Sequence, residues 1–248
     1  LTSDVIATST GGDIQFLSKL DSDGTPHQLT VNSPGETLFG DDVGGDSPLN
    51  RLATDSAGTT RIRGNIAAQP GGLASDGDID FADAVILDPT DVLSPSMTIS
   101  GQDIIFQSTV QAATDGVGQL VLNTSTNGST QFLGQVGSTA ANRPQSITSN
   151  ADGTVLINSG ANVTGALTLN EAATLRGDIT ADTMAFGSTV AVGDSTAAAN
   201  LTSQQGITFA SPITVNGTIA AGRASGFNGT GATFAGTVTL TGDTTIDG

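Results

Sequence analysis

The sequence predicts an all-β chain wound as a parallel β-helix, a solenoid of about ten coils with three short strands per coil. Three observations carry that prediction. Eight of the nine phenylalanines, the only aromatic residues present, fall at intervals near 24 residues. Short alternations of apolar and polar residues fill the space between them, broken by Gly, Asn, Asp and Ser. The apolar residues are too regularly placed for the disorder that low hydrophobicity and high charge otherwise favour.

The phenylalanine series starts with Phe16 and Phe39, continues through Phe81, Phe106 and Phe132, and ends with Phe186, Phe209 and Phe234. Ile62 and Ile157 fill the two gaps, so the series reads as one ladder along the axis, with one large apolar group per turn. Only Phe227 stands outside it, in a Gly-rich turn. Leu29-Thr30-Val31, Met97-Thr98-Ile99, Leu120-Val121-Leu122 and Leu167-Thr168-Leu169 place two apolar side chains on one face, as period-two strands do. Thr130-Gln131-Phe132 and Ile207-Thr208-Phe209 supply second strands. A third apolar position follows each phenylalanine by four residues, at Leu20, Val43, Val85, Val110, Val136, Val190, Ile213 and Val238. The one place where a helical turn fits is Ala197 to Ala199.

A longer repeat lies over this period. Gly12-Asp13-Ile14-Gln15-Phe16 matches Gln102-Asp103-Ile104-Ile105-Phe106, and residues 28–45 are answered by residues 119–137. Ala57-Gly58-Thr59-Thr60-Arg61-Ile62 is answered by Asp152-Gly153-Thr154-Val155-Leu156-Ile157. Four coils per block is the expectation, with a looser third copy from Met184 to Val190. A block of this size also suits a tandem of β-sandwiches, but that fold usually wants a buried Trp or a Tyr corner, and the chain has neither residue.

Composition restricts function. Twenty-four acids against seven basic residues give a net charge of −17, which argues against nucleic acid and against an anionic membrane surface. No run approaches the ~18 apolar residues of a membrane span. The absence of Cys excludes a disulfide scaffold. The chain starts at Leu1 without Met and stops inside a strand-like stretch at Thr245-Ile246-Asp247-Gly248, so residues 1–248 are expected to be one β-helical repeat domain cut from a longer chain.

Residues Thr37-Leu38-Phe39-Gly40-Asp41-Asp42-Val43-Gly44-Gly45, then Pro48-Leu49, Leu52-Ala53-Thr54-Asp55 and Gly58-Thr59-Thr60, carry a resemblance. They resemble the repeat units of large bacterial surface proteins, the filamentous-haemagglutinin-like and β-strand-repeat exoproteins. The resemblance runs through the whole chain by its repeats, and is best over residues 12–66 and 102–158. It implies a right-handed β-helical stalk displayed outside the cell. The secretion domain typical of that family is not among these residues.

No residue is assigned a catalytic or cofactor-binding role. Arg61 and Arg63 are the one basic pair at strand spacing, without an acidic cluster in the same coil, and read as outward-facing strand residues. A glycosidase would need two carboxylates about 5 to 9.5 Å apart. Sugar subsites also favour Trp or Tyr platforms. His27 sits in a Gly-Thr-Pro-His turn without a nearby nucleophile. The densest acidic group is Asp76, Asp78, Asp80 and Asp83, where alternate acids could gather oxygens for calcium. Strand alternation explains it more simply, with Ile79 and Phe81 inward and Asp78 and Asp80 outward. Asp41, Asp42 and Asp46 read as a solvated turn. Fifteen of the 24 acids fall within the first 91 residues, which makes that end the cation-responsive one. Thr positions drift with each insertion, so no flat Thr array follows. The sequons at Asn123, Asn162 and Asn216 are what such a composition yields by chance.

The expectation is therefore a non-enzymatic extracellular or cell-surface segment, a stalk, fibre or adhesin shaft. Its partners would be further copies or flanking repeats stacked head to tail. The alternative is a β-helical carbohydrate-active enzyme or carbohydrate-binding module.

Overall fold

A computed structural model describes residues 1–69, 76–90, 95–150, 153–195, 197–221, 231–241 and 244–247. Its 27 strands pair in parallel throughout, with no helix among the described residues. Parallel pairing excludes the antiparallel sandwiches. The stretch from Ala197 to Ala199 is not helical: Ala199 opens a strand, and the Asp194 carboxylate accepts from the Ala197 backbone N–H at 3.0 Å.

The chain winds over three faces. The first face is one sheet of eleven strands, from Val5–Thr8 through Ile104–Phe106 to Val238–Leu240. Its inward row, Val5, Leu29, Leu52, Ile79, Ile104, Thr130, Val155, Ala173, Val190, Ile213 and Val238, advances once per coil. Eleven positions in one row make ten turns. Most turns use 23 to 27 residues, but Val155 to Ala173 takes 18 and Ala173 to Val190 takes 17.

The second face begins with the five strands Ile14–Phe16, Glu36–Phe39, Thr59–Ile62, Ala84–Leu87 and Val110–Ala112. It continues through Val136 and Ala161–Asn162 into the first half of Gly177–Phe186. The third face starts at Leu20, Val43 and Ile66, and runs through Ser96–Gly101, Gln119–Thr124, Ser146–Ser149 and Ala166–Leu169. It then takes the second half of Gly177–Phe186. That strand and its neighbour Ala199–Phe209 are ten and eleven residues long and pass from the second face to the third without a break. The register shift between Ala181 and Thr183 marks the bend. Three-to-five-residue strands are thus the rule in the first half, and fused ones appear in the second.

The phenylalanines form three columns, not one ladder. Phe16 and Phe39 stack on the second face with ring centroids 5.4 Å apart, and Ile62, Leu87 and Ala112 extend their column. Phe81, Phe106 and Phe132 stack on the first face at 5.4 and 4.9 Å, followed by Ile157 and Leu175. Phe186, Phe209 and Phe234 stack on the third at 5.0 and 5.2 Å, above Leu169. The period alone could not distinguish these arrangements. The column changes at the 19-residue step from Ile62 to Phe81 and the 29-residue step from Ile157 to Phe186, where the interval departs from a whole coil.

The residue four after each phenylalanine changes face with it. Phe39 and Val43 flank a tight corner from second to third face, Phe106 and Val110 one from first to second, and Phe186 and Val190 one from third to first. One corner sequence, a large apolar residue, three turn residues and a smaller apolar residue, therefore serves all three edges. The long repeat follows the same rule. Phe16 lies on the second face of coil 1 and its counterpart Phe106 on the first face of coil 5, so one block advances eleven strand positions, one short of four coils. Phe186, on the third face of coil 8, is eleven positions further.

Close backbone stacking explains the glycines at the wider corners. Gly58 has φ +77°, and a Cβ there would lie 1.9 Å from the Gly35 carbonyl oxygen of the previous coil. No side chain fits that contact.

Phe106 is fully buried between two other rings. Phe106→Ala is expected to cost about 3 to 5 kcal/mol in urea denaturation. Phe16→Ala should cost clearly less, because Phe16 stacks on one side only and is partly exposed. Equal losses would contradict the column assignment. Phe227 lies outside the described residues.

Candidate functional site

The outward side chains of consecutive coils lie side by side, which decides what chemistry the surface can assemble. Arg61 and Arg63 are not without acids. Arg61 Nε donates to Glu36 of the coil before at 2.8 Å, and its Nη1 lies 3.4 Å from Asp88 of the coil after. Arg63 Nε donates to Asp88 at 2.9 Å. The hydrogen bond to Glu36 leads the causes that raise the Arg61 pKa. These partners lie one coil away rather than in the same coil: Asp88 is 25 residues after Arg63, and Glu36 is 25 residues before Arg61.

The same axial pairing holds elsewhere. Arg143 makes a two-pronged contact with Asp115, Nε to Oδ1 at 2.9 Å and Nη2 to Oδ2 at 2.8 Å, and this holds the Asp115 carboxyl below its usual range. Arg176 donates to Asp194 at 2.7 Å and to Asn158 at 3.0 Å. Lys19 meets Asp46 at 3.1 Å. His27 lies between Asp23, 3.2 Å from Nε2, and Asp4, 3.7 Å from Nδ1. The lysine and arginine contacts with carboxylates join neighbouring coils, whereas His27 and Asp23 belong to one loop. Arg223 lies outside the described residues.

The acidic stretch divides among different partners. Asp80 accepts from Gln107 at 2.7 Å on the outer surface. Asp78 is half-buried, and burial, with the charge of Asp103 next, raises its pKa. Asp83 turns inward, on the same side as Ile79 and Phe81, and is only 3% exposed. It accepts from the hydroxyls of Thr54 and Thr60, both at 2.9 Å. Among the described residues no three carboxylates or histidines converge as metal ligands. Asp41 accepts from the Asp42 backbone, and Asp42 from Asn65 at 2.7 Å, so this turn is a hydrogen-bonded junction between coils.

A shallow groove of about 680 Å³ lies on the first face, where the two short coils narrow the section. Its floor is the outward row Gln131, Leu156, Thr174, Ala191 and Thr214, with Arg176 on the wall. Its lining holds no carboxylate, so the acid pair that glycoside hydrolysis requires is not assembled there. The outward row of the earlier coils reads Ile6, Thr30, Ala53, Asp80 and Ile105, a mixture rather than a Thr array.

No family model, curated protein or solved structure matches this chain.

Two measurements bear on this surface. Glu36→Gln should lower stability by less than about 1 kcal/mol, and the loss should fade in molar salt as the pair is screened. Millimolar calcium should raise Tm slightly, with magnesium matching it, as both screen the net charge. A saturable, calcium-specific rise that Asp78→Asn removes would instead give the acidic stretch a metal-binding role.

Proposed function

We propose that this chain is a non-enzymatic segment of an extracellular β-helical shaft, a stalk or adhesin fibre, extended by further coils stacked head to tail. The observation that carries this reading is the eleven-strand first-face sheet, in which each coil between the first and the last pairs in parallel with the coil before it and the coil after it. Eleven strands at ~4.8 Å spacing give a rod about 50 Å long. Its surface is polar and acidic, and its charged pairs run along the axis, an arrangement suited to resisting separation of the coils.

The last coil presents side chains that lie in inward rows lower in the stack. Leu240 continues the Val215 row and is 56% exposed; Ile246 continues the Ile219 row and is 42% exposed. A further coil, such as that of a second copy, would cover them and pair the open strand edge. The contact joins unlike faces and so propagates. The likeness of the repeats to bacterial surface exoproteins supports the extracellular setting. A carbohydrate-directed role has only the first-face groove in its favour, and that groove offers neither an aromatic platform nor a carboxylate pair.

Small-angle scattering and electron microscopy of the 248-residue chain at rising concentration test the reading. Particles should lengthen at constant cross-section. Side-by-side dimers, or compact monomers at every concentration, would contradict it.

A further inference from the structure

Three acids are buried, Asp76, Asp83 and Glu171, and the last two occupy equivalent places at corners of the coil. At the edge between first and second faces, coils 2 and 3 turn by wide corners, with five residues between the inward pairs Val31/Thr37 and Thr54/Thr60. Coil 4 is the first to turn tightly there, with three residues between Phe81 and Val85, and Asp83 is the middle one. Its carboxyl reaches back to the hydroxyls that flank the wide corner below, Thr54 and Thr60. Thr54 also accepts from the Ala82 backbone N–H at 3.3 Å.

At the edge between third and first faces the pattern recurs. Ser149 and Val155 flank five residues, and the next coil turns with three between Leu169 and Ala173. Glu171 is the middle residue, 4% exposed, and it accepts from the hydroxyl of Ser149. In both places a tight corner is laid on a wide one. The shorter loop cannot cover the last inward hydroxyl of the longer loop, and a carboxyl from the shorter loop fills the space. Neither acid forms an ion pair among the described residues.

We propose that the Asp83 junction is a pH-sensitive seam between the third and fourth coils, closed when its carboxyl carries a proton and loosened when it ionises. A neutral acid there can accept from one threonine and donate to the other. The anion has two hydroxyl donors and a backbone hydrogen bond, and no ion pair balances its charge among the described residues. The surrounding groups offer little help. Asp55, in the wide corner below, repels it. Arg61, on the strand that carries Thr60, is engaged outward by Glu36 and Asp88. Asp80, on the preceding strand, faces outward to Gln107. The corner above, Gln107-Ser108-Thr109, has no titratable group.

Burial pushes the Asp83 carboxyl up from the ordinary 3.8 to about 6, against the lowering effect of the two threonine hydroxyls. The folded chain thus retains a proton that the unfolded chain releases between these values. The contribution to stability is fully present below the unfolded value of 3.8 and is lost as pH rises through about 6.

Carbon-13 titration of the Asp83 carboxyl in the intact chain tests the ionisation directly, with an expected midpoint near 6. Hydrogen exchange, corrected for its intrinsic pH dependence, should show protection falling across this range in residues 54–60 and 81–87. The distant strand Ala199–Phe209 serves as reference for the general effect of net charge. Asp83→Asn should remove the local pH dependence and leave the reference unchanged. A midpoint below 4.5 would overturn the proposal, as would a midpoint near 6 without a local change in protection, or the same local change in Asp83→Asn.

Discussion

Parallel hydrogen bonding between successive coils is the constraint on which everything else rests. Each inward side chain lies directly above its partner one coil earlier, so a residue's neighbours are fixed by coil length rather than by distance along the chain. Stacked rings and aliphatic rows follow from that alignment, and so do the charged pairs on the outside. Arg61 finds Glu36 and Asp88 because the register carries it between them. The same rule makes the glycines at wide corners irreplaceable: where Gly58 faces the Gly35 carbonyl, the spacing of the coils leaves no room for a side chain.

The sequence revealed the coil and its parallel winding because both depend on a local period. Phenylalanines near every 24th residue and two-residue alternation between them need no knowledge of partners. Which face each phenylalanine occupies was not visible, because that depends on accumulated phase. Nineteen residues from Ile62 to Phe81 and 29 from Ile157 to Phe186 look like noise around a mean, yet each moves the column to another face. The inward turn of Asp83 was hidden for a related reason. Alternation from Ile79 and Phe81 continues inward at Asp83, but a carboxylate there lacks a visible partner until Thr54 and Thr60 are placed beside it by the coil below.

The surface was read least well. Partners for the arginines lay one coil away, and the first-face groove arises from two coils of 18 and 17 residues that the mean period conceals. Both could have been found by aligning coils before searching for clusters. Corner length is the variable that the repeat pattern obscures, and it controls where the section narrows and where an acid is needed inside.

The eleven-strand advance of the long repeat has a consequence for anything the repeats display. A solenoid with three faces and twelve strands per block would present every copy in the same direction, in a straight file. One strand fewer turns each copy by a third of a revolution, so the three copies look outward in three directions and the fourth would rejoin the first. A flat surface lying along such a rod would meet only one copy in three. A ligand able to touch consecutive copies would have to wind around the rod, or the rod would have to be gripped from all sides.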